Sequence, residues 1–156
     1  MTDISLAHWI AVITTLVGVM VAVFIHFEAI AYLNRWTKGR PARRPIDHHH
    51  RPTLLIVIAV LLLVHIAEIW WFGLLFLLLD SLSGLGTIVG YEEMNLWEYV
   101  YFSATTYTTV GFGDLFAVGP IRFLVGTEAL VGFMLITWSA SFTYLVMARM
   151  WGQSVD

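Results

Sequence analysis

Three apolar stretches, near residues 8–33, 53–79 and 121–150, constrain this 156-residue chain more than any other feature. Each exceeds the roughly 20 residues that an α-helix needs to cross a bilayer core of about 30 Å. In hydrocarbon every main-chain N–H and C=O must find its partner inside the protein, which favours helices for such segments. The sequence is 59% hydrophobic and 12% charged, whereas a soluble domain is nearer half apolar and a quarter charged. The expected class is an all-α integral membrane protein with little chain left for a soluble domain.

Charge sets the expected orientation. Six of the eight basic residues (Arg35, Lys38, Arg40, Arg43, Arg44 and Arg51) lie between the first two apolar stretches. By the positive-inside rule that connection faces the cytoplasm. The N-terminal flank carries Asp3 and no basic residue, so the first stretch does not read as a signal peptide. The N-terminus is therefore expected outside and the C-terminus inside. Trp9 and Trp36 fall where interfacial aromatic belts belong. The 35–52 connection holds three of the four prolines, and its cations suit lipid headgroups. His48, His49 and His50 invite a metal reading, but adjacent histidines in such a loop do not preform a site. With no cysteine, disulfides, thiolate metal sites and cysteine nucleophiles are excluded.

Between the second and third stretches lies a segment too short to span. Residues 81–94 read as an outer loop, Asn95 as an N-cap, and 96–108 as a helix of only about 20 Å. Such a helix must be re-entrant. Its C-terminus hands over to Thr109-Val110-Gly111-Phe112-Gly113-Asp114. Glycines two apart permit a backbone of alternating hand, which turns successive carbonyls toward one side. This hexapeptide, with residues 101–108 before it, resembles the TVGYG-type signature of the potassium-channel superfamily, with Phe112 in place of the commoner tyrosine.

The resemblance covers roughly 54–150 and implies an outer helix (53–79), a pore helix (96–108), a selectivity filter (109–114) and an inner helix (121–150). An extra N-terminal helix (1–34) and the basic loop (35–52) precede this pore domain (53–156). It implies further that K⁺, the permeant ion and the only metal expected, is bound by the carbonyls of Thr109, Val110, Gly111 and Phe112. The Thr109 hydroxyl would add a ring of oxygens, and Thr108, Gly113 and Asp114 would support the filter. One filter per chain implies a homotetramer of closed symmetry. Small prokaryotic channels are similar, which points to a prokaryotic cell membrane. Phe112 lacks the hydroxyl that usually tethers the filter to the pore helix. Thr105 stands where some relatives place a glutamate.

No helix carries Arg or Lys at every third position, so no voltage sensor is expected. No cofactor, cytoplasmic ligand domain or nucleic-acid partner is expected either. Ionisable residues inside spans carry functional hypotheses. His26 and Glu28, with His65 and Glu68 at i, i+3, read either as a proton-sensitive network between the first two helices or as structural hydrogen bonding. Glu128 is expected to support the filter through Thr105 or Tyr107. Gly132 reads as a hinge or as a close-packing position. Thr137, Ser141 and Leu145 recur at helical spacing as a cavity-lining stripe, against the alternative of helix packing. Asp80, Glu92, Glu93, Glu98 and Asp114 would gather cations at the outer mouth. A weakly selective cation channel and an accessory channel subunit remain as alternatives. A histidine-ligated membrane enzyme is disfavoured, because His8, His26 and His65 are scattered singly.

Overall fold

The computed structural model describes residues 6–39, 50–91 and 94–150. Along the chain these form α1 (Leu6–Lys38), α2 (His50–Asp80), β1 (Thr87–Val89), α3 (Leu96–Tyr107), β2 (Phe116–Val118) and α4 (Arg122–Met150). The helices α1, α2 and α4 are long and apolar enough to cross a membrane. The all-α expectation with three spans holds.

Local chemistry moves several boundaries. Arg35 and Lys38 belong to the last turn of α1, where cations complement the partial negative charge of a helix C-terminus. The first helix thus runs past the expected limit at residue 34. Pro52 sits in the first turn of α2, a position where its missing N–H breaks no helical bond. The expected 35–52 loop is correspondingly trimmed at both ends. Arg40, Arg43, Arg44, His48, His49, Glu92 and Glu93 lie outside the described residues, as do the side chains of His50 and Arg51. The short helix stops at Tyr107 with Thr108 as its C-cap, one residue before the expected end. The last helix starts at Arg122, one residue after.

The described chain packs as two bodies. One comprises α1 up to Ala22, together with α2 from Ala67 through α4 as far as Met134. Its core joins Phe72, Phe76 and Leu79 of α2, Phe102 and Tyr107 of α3, and Leu124 of α4. Here α1 meets α2: the Trp71 indole N–H donates to the Gly18 carbonyl at 3.0 Å. The other body comprises α1 from Val23, α2 up to Ile66 and α4 from Leu135. Its core is Ile30, Leu33, Val57, Leu61, Phe142 and Val146.

Residues 81–91 carry more structure than the expected outer loop. β1 pairs antiparallel with β2, in the register Thr87 to Val118, Ile88 to Ala117 and Val89 to Phe116. The Ile121 amide adds a bond to the Leu85 carbonyl at 2.8 Å. This ribbon ties the segment before α3 to the segment after residue 114. It depends on Gly86, whose φ is +101° and where a Cβ would stand 2.1 Å from the Val118 carbonyl oxygen. Gly86→Ala therefore meets both backbone strain and a backbone clash. We expect it to destabilise the detergent-solubilised protein by about 2 kcal/mol or more. Denaturant titration measures this, and an unchanged midpoint would contradict the packing.

Candidate functional site

The site is built outward from α3. Asn95 caps this helix: its side-chain oxygen accepts the Trp97 amide at 2.9 Å, and the Glu98 carboxylate accepts the Asn95 amide in return. Such a capping box satisfies orphan donors at both positions. With 12 residues the helix covers only about 18 Å. Its buried face is Tyr99, Phe102, Ser103, Thr105, Thr106 and Tyr107.

Three contacts fix that face. Ser103 Oγ stands 2.8 Å from the Ile69 carbonyl oxygen of α2 and 2.6 Å from Glu128 Oε1 of α4. The Tyr107 hydroxyl donates to the buried Glu68 carboxylate. Gly132 lies so close that a Cβ there would be 2.2 Å from the Tyr107 carbonyl oxygen. The geometry thus gives Gly132 a close-packing role. Glu128 meets the buried face of α3 through Ser103, a residue that the expectation of Thr105 or Tyr107 did not name. Thr105 instead bonds back to the Phe102 carbonyl.

Beyond Thr108 the chain changes hand at every other residue. φ is +60° at Thr109, +51° at Gly111 and +82° at Gly113, while Val110 and Phe112 between them lack positive φ. Glycine accepts such angles freely. A β-branched residue does not, and Thr109 stores backbone strain of about 1–3 kcal/mol. Two amides anchor the turn into this segment: Thr109 N–H donates to the Thr106 carbonyl at 2.9 Å, and Gly111 N–H to the Thr105 carbonyl at 3.1 Å. Residues 108–114 are all exposed on the protomer.

The far end of the segment is also held. The Tyr101 hydroxyl of α3 donates to Asp114 Oδ2 at 2.9 Å. That hydrogen bond to a carboxylate holds the phenol above its ordinary pKa. Phe112, which has no hydroxyl, is thus offset by a tether two residues further on. Asp80, Glu98 and Asp114 do belong to one body, although Asp80 accepts from Tyr99 and Glu98 serves the cap.

Other expected residues fall elsewhere. Thr137, Ser141 and Leu145 are all exposed along α4. His26 and His65 belong to the second body, where each Nε2 approaches Ser139 Oγ, at 3.2 Å and 3.0 Å. Their rings lie 5.1 Å apart. The two imidazoles meet at a serine hydroxyl of α4, a helix that the expected network between the first two helices did not include. Glu28 is exposed. Sequence reasoning passed over Ser103, Ser139 and Tyr101, although the missing hydroxyl of Phe112 was a reason to search α3 for another tether.

Residues 54–149 match a family model described as an ion channel. No curated protein and no solved structure matches the chain.

Removing the tether tests the geometry without reference to transport. Tyr101→Phe should leave the fold intact and raise hydrogen exchange at the Gly113 and Asp114 amides about fivefold, the equivalent of about 1 kcal/mol. Unchanged exchange there would show that the Tyr101 bond holds nothing.

Proposed function

The chain belongs to the ion-channel family, as an integral membrane protein with one helix ahead of the matched 54–149 region, and we propose that it conducts K⁺ selectively as a homotetramer. One observation carries this reading: the alternation of backbone hand across Thr109, Gly111 and Gly113. An ion leaving water must recover its oxygen ligands, and rings of main-chain carbonyls can supply them. The carbonyls of Thr109, Val110, Gly111 and Phe112 form those rings, and the Thr109 hydroxyl adds another. Thr108, Gly113 and Asp114 hold the ends.

Fourfold assembly follows from the same residues. Residues 108–114, irregular in backbone, are exposed on one protomer. At membrane depth such backbone persists only when buried in protein or lining water. Four copies around an axis meet both conditions. The C-terminal end of α3 then directs partial negative charge inward, which favours a cation in the cavity. Thr137, Ser141 and Leu145, exposed on α4, line that cavity. The basic connection between α1 and α2 faces the cytoplasm and contacts lipid headgroups, which puts the N-terminus outside.

Phe112 favours a second reading, a cation channel of weak selectivity, because it offers no hydroxyl for the usual tether. Reversal potentials of the purified protein in planar bilayers with K⁺ on one side and Na⁺ on the other separate the two. We expect currents that reverse close to the K⁺ equilibrium potential, and a Thr109→Ala variant that reverses nearer zero because one oxygen ring is lost. Reversal near zero in the unmodified protein would establish the weaker selectivity. Absence of any cation current would overturn both.

A further inference from the structure

Proton counting around Ser103 leads beyond conduction. The serine hydroxyl has one hydrogen and can donate once, while accepting twice. Yet Ser103 Oγ lies within hydrogen-bond range of two oxygens: 2.8 Å from the Ile69 carbonyl and 2.6 Å from Glu128 Oε1. A main-chain carbonyl has no hydrogen to give. If Glu128 were a carboxylate, it would have none either, and Ser103 would face two acceptors with one proton. One of the two contacts would then be a bare oxygen–oxygen approach inside van der Waals range.

The surroundings sharpen the choice. Glu128 is fully buried within a helix apolar enough to span the membrane. Its other oxygen, Oε2, has no hydrogen-bond partner among the described residues. A carboxylate so placed would spread its charge over one shared contact and one unsatisfied oxygen, and burying an ion without partners is costly. A carboxylic acid fits instead. Its O–H donates to Ser103 Oγ, and the Ser103 O–H donates onward to the Ile69 carbonyl. Each contact then has one proton, and Oε2 is a neutral carbonyl oxygen, the cheapest group to leave unpartnered.

We propose that Glu128 is a neutral carboxylic acid whose O–H donates to Ser103, while the Ser103 O–H donates to the Ile69 carbonyl, and that this pair of hydrogen bonds positions α3 between α2 and α4. It is a positioning residue: it touches the buried face of α3, on the helix whose end delivers Thr109, and not the 109–114 segment itself. The consequence for ion selection rests on the proposed channel function; the protonation state does not. One side chain distinguishes the two chemistries. Glutamine keeps a donor at the same reach and cannot carry charge, so it replaces the acid and not the carboxylate.

The test pairs infrared spectroscopy with conduction, using the full-length protein reconstituted in liposomes. The difference spectrum between the unmodified protein and Glu128→Gln should contain the C=O stretch of a protonated carboxylic acid. Ser103→Ala should move that band, because the acid loses its acceptor. Glu128→Gln should keep K⁺ flux near the unmodified level, whereas Glu128→Ala should lower it about tenfold, the loss of one buried hydrogen bond. Carboxylate bands in place of the acid band would overturn the proposal. So would a Glu128→Gln protein as impaired as Glu128→Ala. If Glu128→Ala does not fold, the band and its Ser103→Ala shift decide alone. An acid band in a protein that passes no K⁺ would leave this assignment standing and remove the channel reading.

Discussion

A main chain in hydrocarbon cannot leave its hydrogen-bonding groups unattended, and the rest of this structure answers to that rule. Three helices satisfy it within themselves. Residues 108–114 do so only in part, through the Thr108, Thr109 and Gly111 amides, and they are exposed on the protomer. An apolar environment would reject them. In the proposed assembly their alternating hand would turn the same groups into ligands for an ion. The apparent defect of the single protomer is thus the proposed function of the assembly.

Holding strained backbone requires a stiff frame, and the first body supplies one. The capping box fixes the start of α3, the Ser103 and Tyr107 contacts fix its buried face, and Gly132 lets α4 press against its last turn. Past residue 114 the two-stranded ribbon ties the chain back to the segment before α3. Strain at Thr109 persists because both sides are clamped. The second body follows different chemistry, with two imidazoles sharing one serine hydroxyl of α4.

Much of this was readable from the residues. Span length and glycine spacing are local signals, which is why three helices, the Asn95 cap and the turn at 109–114 stand out in the sequence. Pairings between distant residues leave no such periodicity. Nothing local announces that Ser103 lies between Ile69 and Glu128, or that Ser139 sits between His26 and His65. The β1–β2 ribbon was equally hidden, because three-residue strands in a glycine-rich stretch resemble a loop. Tyr101 is intermediate: Phe112 signals a missing tether, but only the fold selects among Tyr99, Tyr101 and Tyr107. Helix ends shifted where charge or proline suited a terminal turn, as at Lys38 and Pro52.

The most direct measurement locates the ion. Crystals of the assembled protein grown with Rb⁺, a heavier relative of K⁺, would report bound cations through anomalous scattering. We expect a row of peaks on a fourfold axis, each ringed by carbonyl oxygens of Thr109 to Phe112. Peaks away from any axis, or carbonyls in that segment directed toward protein and not toward a shared centre, would contradict it.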